Sequence, residues 1–262
     1  MKILFIGDVF GKPGRRVIEA HLPRLIDEEK LDFVIANGEN MAGGKGLTPA
    51  TCRELFDVGV DVITTGNHVR DQKEIDAMLE SDPRLLRPLN YPPTMPGTGH
   101  GVRPSRGGAS VGVVNAIGRV HMGEIPSPFL PTMERVKTLK EQTPVVVVDI
   151  HAEATSEKRA MAWYLDGIAS AVVGTHTHVQ TADEEILPKG TAYITDVGMT
   201  GPYESVIGLR TDLALERFVQ QKKGKFEVGK GDVRLCGAII EIDVATGRAL
   251  TIRRLRINHT GN

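Results

Sequence analysis

Short apolar runs recur along the chain, each bounded by Gly, Asp or Asn: Ile3 to Ile6, Phe33 to Ala36, Val60 to Thr64, Val111 to Val114, Val145 to Val148 and Ala171 to Val173. Runs of this length, rich in β-branched residues, predict strands, and apolarity on both faces predicts a covered sheet. Between the early runs the period changes. Pro13 to Glu29 opens with a proline suited to a first helical position and aligns Val17, Leu22, Leu25 and Ile26 on one side, as an amphipathic helix does. Thr48-Pro49 opens a second predicted helix running to about Val58, and Asp71 to Glu80 reads as a third. Strands alternating with helices predict an α/β fold.

The alternation breaks from Arg87 to Gly108, where prolines and glycines crowd together. That density predicts a long surface loop, a rim or lid, rather than a linker between domains. From Val233 to Ile257 apolar and polar residues alternate around Ala245-Thr246-Gly247, which predicts an antiparallel hairpin. No repeat interrupts the pattern, so a single domain over residues 1–262, built on two sheets, is the simplest account.

Composition narrows the partners. The 32 basic and 33 acidic residues leave a net charge of −1, so no global field favours duplex DNA or an anionic membrane, although a local basic patch stays open. Cys52 and Cys236 match neither a zinc spacing nor a redox pair, and no disulfide framework is expected. The first apolar run stops at Gly7-Asp8, too short for a signal-peptide core, and no stretch is long enough to span a bilayer. A cytoplasmic enzyme is the expectation.

The chemistry lies at the carboxyl ends of the predicted strands. Ile6 leads to Gly7-Asp8, Ala36 to Asn37-Gly38-Glu39-Asn40, Thr65 to Gly66-Asn67-His68, Val148 to Asp149-Ile150-His151, and Val173 to Gly174-Thr175-His176-Thr177-His178. Ligands of open α/β sheets gather outside such ends. Singly, each motif is an ordinary turn or cap. Together, five strand ends deliver metal-capable side chains, and His68, His151, His176 and His178 all fall among them. His21, His100, His121 and His259 lie in helical or loop contexts and read as structural. Carboxylates, amide oxygens and imidazoles in one set suit manganese, iron or zinc better than calcium or magnesium. There are more donors than one tetrahedral ion needs, and two ions sharing a carboxylate would use them all. Two glycine-rich stretches point elsewhere and fail: Met41 to Gly46 lacks the Ser or Thr of a phosphate loop, and Gly97 to Gly101 lacks the helix start of a dinucleotide fingerprint. Lys45 reads as a solvated lysine beside the centre.

The ordered set Gly-Asp, acidic strand end, Gly-Asn-His, single His and Gly-x-His-x-His resembles the calcineurin-like metallophosphoesterases. Gly7 to Gly11, Gly38-Glu39-Asn40, Gly174 to Gln180 and Thr195 to Gly201 are similar to the YmdB-like branch, whose members are 2′,3′-cyclic-nucleotide 2′-phosphodiesterases. The superfamily usually begins Asp-x-His and bridges its metals with Asp; here Phe10 takes the third position and Glu39 offers the bridge, both as in the YmdB-like branch.

The resemblance implies a sandwich of two mixed β-sheets flanked by helices. It implies two divalent or mixed-valence transition-metal ions, iron or manganese before zinc. Asp8, Glu39, Asn40 and His178 would hold one ion, and Glu39, Asn67, His151 and His176 the other. A hydroxide between them would attack a small nucleotide phosphodiester, 2′,3′-cyclic AMP among the candidates, with His68 as general acid. The bland alternative for His68 is a loop histidine that holds Asn67. A metal-dependent phosphomonoesterase and a nucleotide-binding regulator with slow hydrolysis stay open, as does a homo-oligomer.

Overall fold

The computed structural model describes residues 1–222, 224 and 226–259. Its first half runs β1 (Lys2–Ile6), β2 (Asp8–Val9), α1 (Gly11–Glu29), β3 (Phe33–Asn37), α2 (Pro49–Asp57), β4 (Val62–Thr64), α3 (Asp76–Ser81), β5 (His100–Pro104) and β6 (Ser110–Ile117). The second half runs α4 (Phe129–Lys140), β7 (Val146–His151), α5 (Thr155–Tyr164), β8 (Ala171–Thr175), β9 (Glu185–Ile186), β10 (Ala192–Ile194), β11 (Met199–Glu204), α6 (Thr211–Gln220), β12 (Gly231–Ile242) and β13 (Ala249–Asn258).

Two mixed sheets result. One is ordered β2-β11-β12-β1-β3-β4, with β13 added on β12; the other is ordered β5-β6-β7-β8-β10-β9. Alternation along the strands explains why both sheets are covered on both faces. In β1, Ile3 and Phe5 enter an apolar layer shared with Val111, Val113, Val147 and Val173 of the other sheet. Leu4 and Ile6 point the opposite way, onto Val17, Ile18 and Leu22 of α1 and Leu55 of α2. The second sheet repeats the scheme, with Val146, Val148 and Val172 against Val136 and Leu139 of α4 and Met161 of α5. The layers are therefore helix, sheet, sheet, helix. Each of these side chains stabilises the fold by about 1.5–3 kcal/mol when fully withdrawn from water. No described helix is long and apolar enough to cross a membrane.

The second predicted helix stands as expected. Thr48 caps it, its hydroxyl accepting from the Thr51 amide at 3.2 Å, with Pro49 in the first turn. The terminal hairpin is β12 and β13, antiparallel as the alternation predicts. Three expectations need correction. The first helix begins at Gly11, two residues before Pro13, and ends where Lys30 turns left-handed at φ 53°. The third starts as a single 3₁₀ turn at Lys73–Ile75 and becomes α-helical only at Asp76. Arg87 to Gly108 is not all loop: His100–Pro104 pairs antiparallel with β6, and Arg87 is buried. Pairing with a buried strand outweighs the local glycine density there.

Candidate metal centre

Parallel pairing carries β1, β3 and β4 of one sheet, and β7 and β8 of the other, to a common end. Asp8, Glu39, Asn40, Asn67, His68, His151, His176 and His178, singled out from the sequence, all meet there. The passage from β1 to β2 is tight: a Cβ on Gly7 would sit 1.9 Å from the Gly198 carbonyl oxygen. Only glycine lets the chain pass and bury Asp8 behind it. Asp8 Oδ2 accepts from the His176 amide at 3.1 Å, whereas Oδ1 is buried with no hydrogen-bond partner. That orphan oxygen lies 3.9 Å from His178 Nε2 and 3.9 Å from His151 Nδ1.

Glu39 occupies the middle. Its Oε1 is 3.2 Å from His151 Nε2, and its Oε2 accepts from the His68 amide at 3.2 Å. Gly66 makes room for both groups, since a Cβ there would fall 2.2 Å from His151 Nε2 and 2.4 Å from Glu39 Oε2. Asn67 Oδ1 stands 3.2 Å from His151 Nε2, and Asn40 Oδ1 stands 3.3 Å from His178 Nε2. The donors form two groups, Asp8, Glu39 and His178, and Glu39, His151 and His176, the ligand atoms within each lying within 4.8 Å of one another. Glu39 belongs to both.

The imidazoles are oriented from behind. The Thr175 hydroxyl donates to Asp149 Oδ1 at 2.8 Å, so its oxygen is free to accept from His151 Nδ1 at 2.9 Å. Asp149 is itself fixed by Thr64 and Asn37. His178 Nδ1 donates to the Ile207 carbonyl at 2.9 Å, and His176 Nε2 faces Glu153 Oε2 at 3.1 Å. With one nitrogen of each ring held as a donor, the other presents its lone pair to the centre, the arrangement that metal-binding histidines require. His176 and His178 both have positive φ, 103° and 66°, a strained backbone that surrounding contacts must enforce. Asp196 does so: its Oδ2 accepts from the Thr177 amide and hydroxyl and from Lys158 Nζ at 2.7 Å, with Lys158 and Asp196 fully buried.

The donor set fits a pair of cations. Two buried carboxylates converge with neutral nitrogens, and the unpartnered Asp8 Oδ1 is what a cation would satisfy. Without metal, a proton serves instead. Burial by itself lowers the His151 imidazole, but the Glu39 carboxylate and its hydrogen bond win and push it up to about 9. Burial likewise raises Glu39, and the His151 charge overrides it and holds the carboxyl low. Asp8 has too little compensation against burial and is raised to about 6. Burial and the neighbouring His151 charge lower His176 to about 3.

These shifts give the metal-free protein a defined pH dependence. His151, raised above its ordinary 6.5, contributes stability that is fully present below pH 6.5 and lost as pH rises through about 9. Glu39 contributes stability present above its ordinary 4.5 and lost as pH falls into the acid range. In excess chelator, the melting temperature is therefore expected to fall by on the order of 5 °C between about pH 7 and pH 10. Melts at stepped pH check this; a flat profile would mean that His151 is neutral throughout.

In front of the centre lies a cleft of about 250 Å³. Glu39, Asn40, His68 and His176 form its polar floor, and Phe10, Ile207, Leu209 and Phe226 its apolar wall. His68 Nδ1 lies 2.8 Å from Asp71 Oδ2. Lys45 is exposed at the rim, its Nζ 5.0 Å from the centre of the Phe226 ring. His21 and His259 pair with each other at 3.1 Å, away from the cleft, and His100 and His121 are not among its lining residues. Sequence reasoning misses Glu153, Lys158 and the Asp149–Thr175 relay. Glu153 and Asp149 each stand two residues from His151, a spacing that could have pointed to both; nothing marks Lys158 among helical lysines.

Known proteins resemble the chain over nearly all of its length. The family model described as YmdB-like protein matches residues 4–255. The chain is 48% identical over 258 residues to the 2′,3′-cyclic-nucleotide 2′-phosphodiesterase of Bacillus subtilis, covering 98% of this chain and 97% of that one. A crystal structure of a hypothetical protein from Thermus thermophilus superposes with a TM-score of 0.92 at 45% identity, covering 98% and 99% of the two chains. That of a novel phosphatase from Mycoplasma pneumoniae gives 0.91 at 38% identity, covering 98% and 93%. With this fold, this convergence of donors and a match over nearly its full length, the chain belongs to the YmdB-like protein family.

Proposed function

We propose that this protein is a metal-dependent phosphodiesterase that opens 2′,3′-cyclic nucleotides at the 2′ oxygen. The observation that carries the reading is Glu39, shared by two donor groups directly beneath the cleft. The full-length similarity to the Bacillus subtilis enzyme supports the substrate. Asp8, Glu39, Asn40 and His178 would hold one ion, and Glu39, Asn67, His151 and His176 the other. Iron or manganese suits the mixed oxygen and nitrogen donors, with zinc next. When bound, two such ions supply an attacking water of lowered pKa and positive charge against the phosphoryl oxygens.

The chain's own residues supply the rest. Asp71 holds His68 Nδ1 and so turns the other ring nitrogen to the cleft, in position to give a proton to the leaving O2′ of the ribose. The P–O2′ bond breaks, and a 3′-monophosphate with a free 2′-hydroxyl remains. The apolar wall formed by Phe10, Leu209 and Phe226 would face the nucleoside and exclude water beside it. Replacing His68 by Ala is expected to lower kcat by about 10²–10⁴-fold while bound metal stays unchanged. Normal turnover would return His68 to the role of a loop residue holding Asn67.

The decisive assay is hydrolysis of 2′,3′-cyclic AMP with and without Mn²⁺ and chelator, alongside metal analysis and the linear 2′- and 3′-monophosphates. Two ions per chain and chelator-sensitive formation of the 3′ isomer alone are expected. Faster release of phosphate from the linear compounds would replace this reading with a phosphomonoesterase.

A further inference from the structure

A groove of about 510 Å³ opens beside the cleft. Its lining includes Lys12, Arg15 and Arg16 from the start of α1 and Lys230 just before β12, and among the described residues no carboxylate. Arg15 is already engaged, with Nε on Glu54 at 2.5 Å and Nη1 on the Met41 carbonyl at 2.5 Å. Lys12, Arg16 and Lys230 are exposed and make no ion pair among the described residues. Glu19, Glu54 and Asp57 line a separate hollow that shares the basic residues of α1 but not Lys230. In a chain of net charge −1, three unpaired cations along one groove concentrate positive potential locally.

The groove runs alongside the cleft and shares no lining residue with it. Phe10, Gly44 and Phe226 line the cleft, while Lys12, Gly43 and Val228 line the groove. Positions two apart in the chain are separated by at most about 7 Å, a step that one nucleotide covers. A second groove, of about 490 Å³, leaves the cleft past His178 and Ile207, but its Arg254 is tied to Glu184, which leaves Arg256 as its one unpaired arginine among the described residues.

The chemistry of the substrate selects the occupant. A 2′,3′-cyclic phosphate uses both hydroxyls of its ribose, so any further chain must extend from the 5′ side as phosphodiesters. Resting on the reading of the cleft given above, we infer that the Lys12–Arg16–Lys230 groove binds the phosphate backbone of a short oligoribonucleotide whose 2′,3′-cyclic end enters the cleft. Lysine and arginine contacts of this kind position a strand without reading its bases.

The test compares a tetraribonucleotide ending in a 2′,3′-cyclic phosphate with 2′,3′-cyclic AMP. The oligonucleotide is expected to have a kcat/KM at least tenfold higher at low salt. With about three phosphate contacts, binding in the groove should weaken roughly 20-fold between about 50 and 200 mM salt, so most of that advantage should disappear. In a Lys12→Glu, Arg16→Glu, Lys230→Glu variant, the ratio of the two kcat/KM values should drop at least tenfold. An oligonucleotide turned over no better than the mononucleotide, or a ratio indifferent to both salt and charge reversal, overturns the inference. If the wild-type protein turns over neither compound, the cleft reading itself has failed. Fluorescence anisotropy with a labelled tetraribonucleotide then tests the groove alone: salt-sensitive binding lost on charge reversal supports it, and no binding removes it.

Discussion

Replacement of Glu39 by Gln is expected to strip the protein of bound metal and to lower its turnover of 2′,3′-cyclic AMP by at least ~10³-fold. Partners that merely orient a metal ligand cost about 10–100-fold when removed, and Glu39 is the donor common to both groups. Gln keeps the shape and can still accept from the His68 amide, so the fold has no steric reason to fail. What it loses is the charge. Asp8 cannot replace that charge: it belongs to only one of the two donor groups, and one of its oxygens is committed to the His176 amide. Metal analysis, steady-state kinetics and circular dichroism on the same preparation check the prediction. A folded variant with two ions and near-normal turnover would overturn the reading of Glu39 as a bridge.

The legible part of this centre is the part that periodicity exposes. A buried strand announces itself as an apolar run, and the polar residue that ends it is conspicuous, which is why Asp8, Glu39, Asn67, His151 and His176 stand out along the chain. The double-faced apolarity of Ile3 to Ile6 also reports correctly that layers lie on both sides. The groups that aim the ligands are harder to see. Thr175 and Asp149 sit inside strands where a threonine or a short acid is usually a local backbone partner. Their alignment exists only once β7 and β8 pair in register, Asp149 opposite Val173 and His151 opposite Thr175. β5 is obscured for a related reason: its strand character comes from its partner β6 rather than from its own glycine-rich surroundings.

Replacement of Lys158 by Met is expected to destabilise the protein by roughly 3–5 kcal/mol, the cost of leaving one member of a buried ion pair alone, and to lower the melting temperature by roughly 10 °C. The lysine stem runs past Gly174, where a Cβ would fall 2.8 Å from Lys158 Cδ, and its ammonium reaches Asp196 at 2.7 Å. Met fills the stem but not the charge. Asp196 would keep its bonds from the Thr177 amide and hydroxyl and the Gly198 amide, too few to compensate an anion withdrawn from water. Because Thr177 stands between two histidines at positive φ, loosening Asp196 should also lower metal affinity by about 10–100-fold. Removing both charges separates this account from simple loss of packing. A Lys158→Met, Asp196→Asn protein should recover most of the lost stability, since no uncompensated charge remains, yet bind metal less tightly than wild type, its Thr177 loop no longer held by an anion. Calorimetry and metal titration on the single and double variants decide it. A single variant that melts within a degree or two of wild type would mean that the Lys158–Asp196 contact adds nothing to stability, and that the strained loop is held by its hydrogen bonds alone.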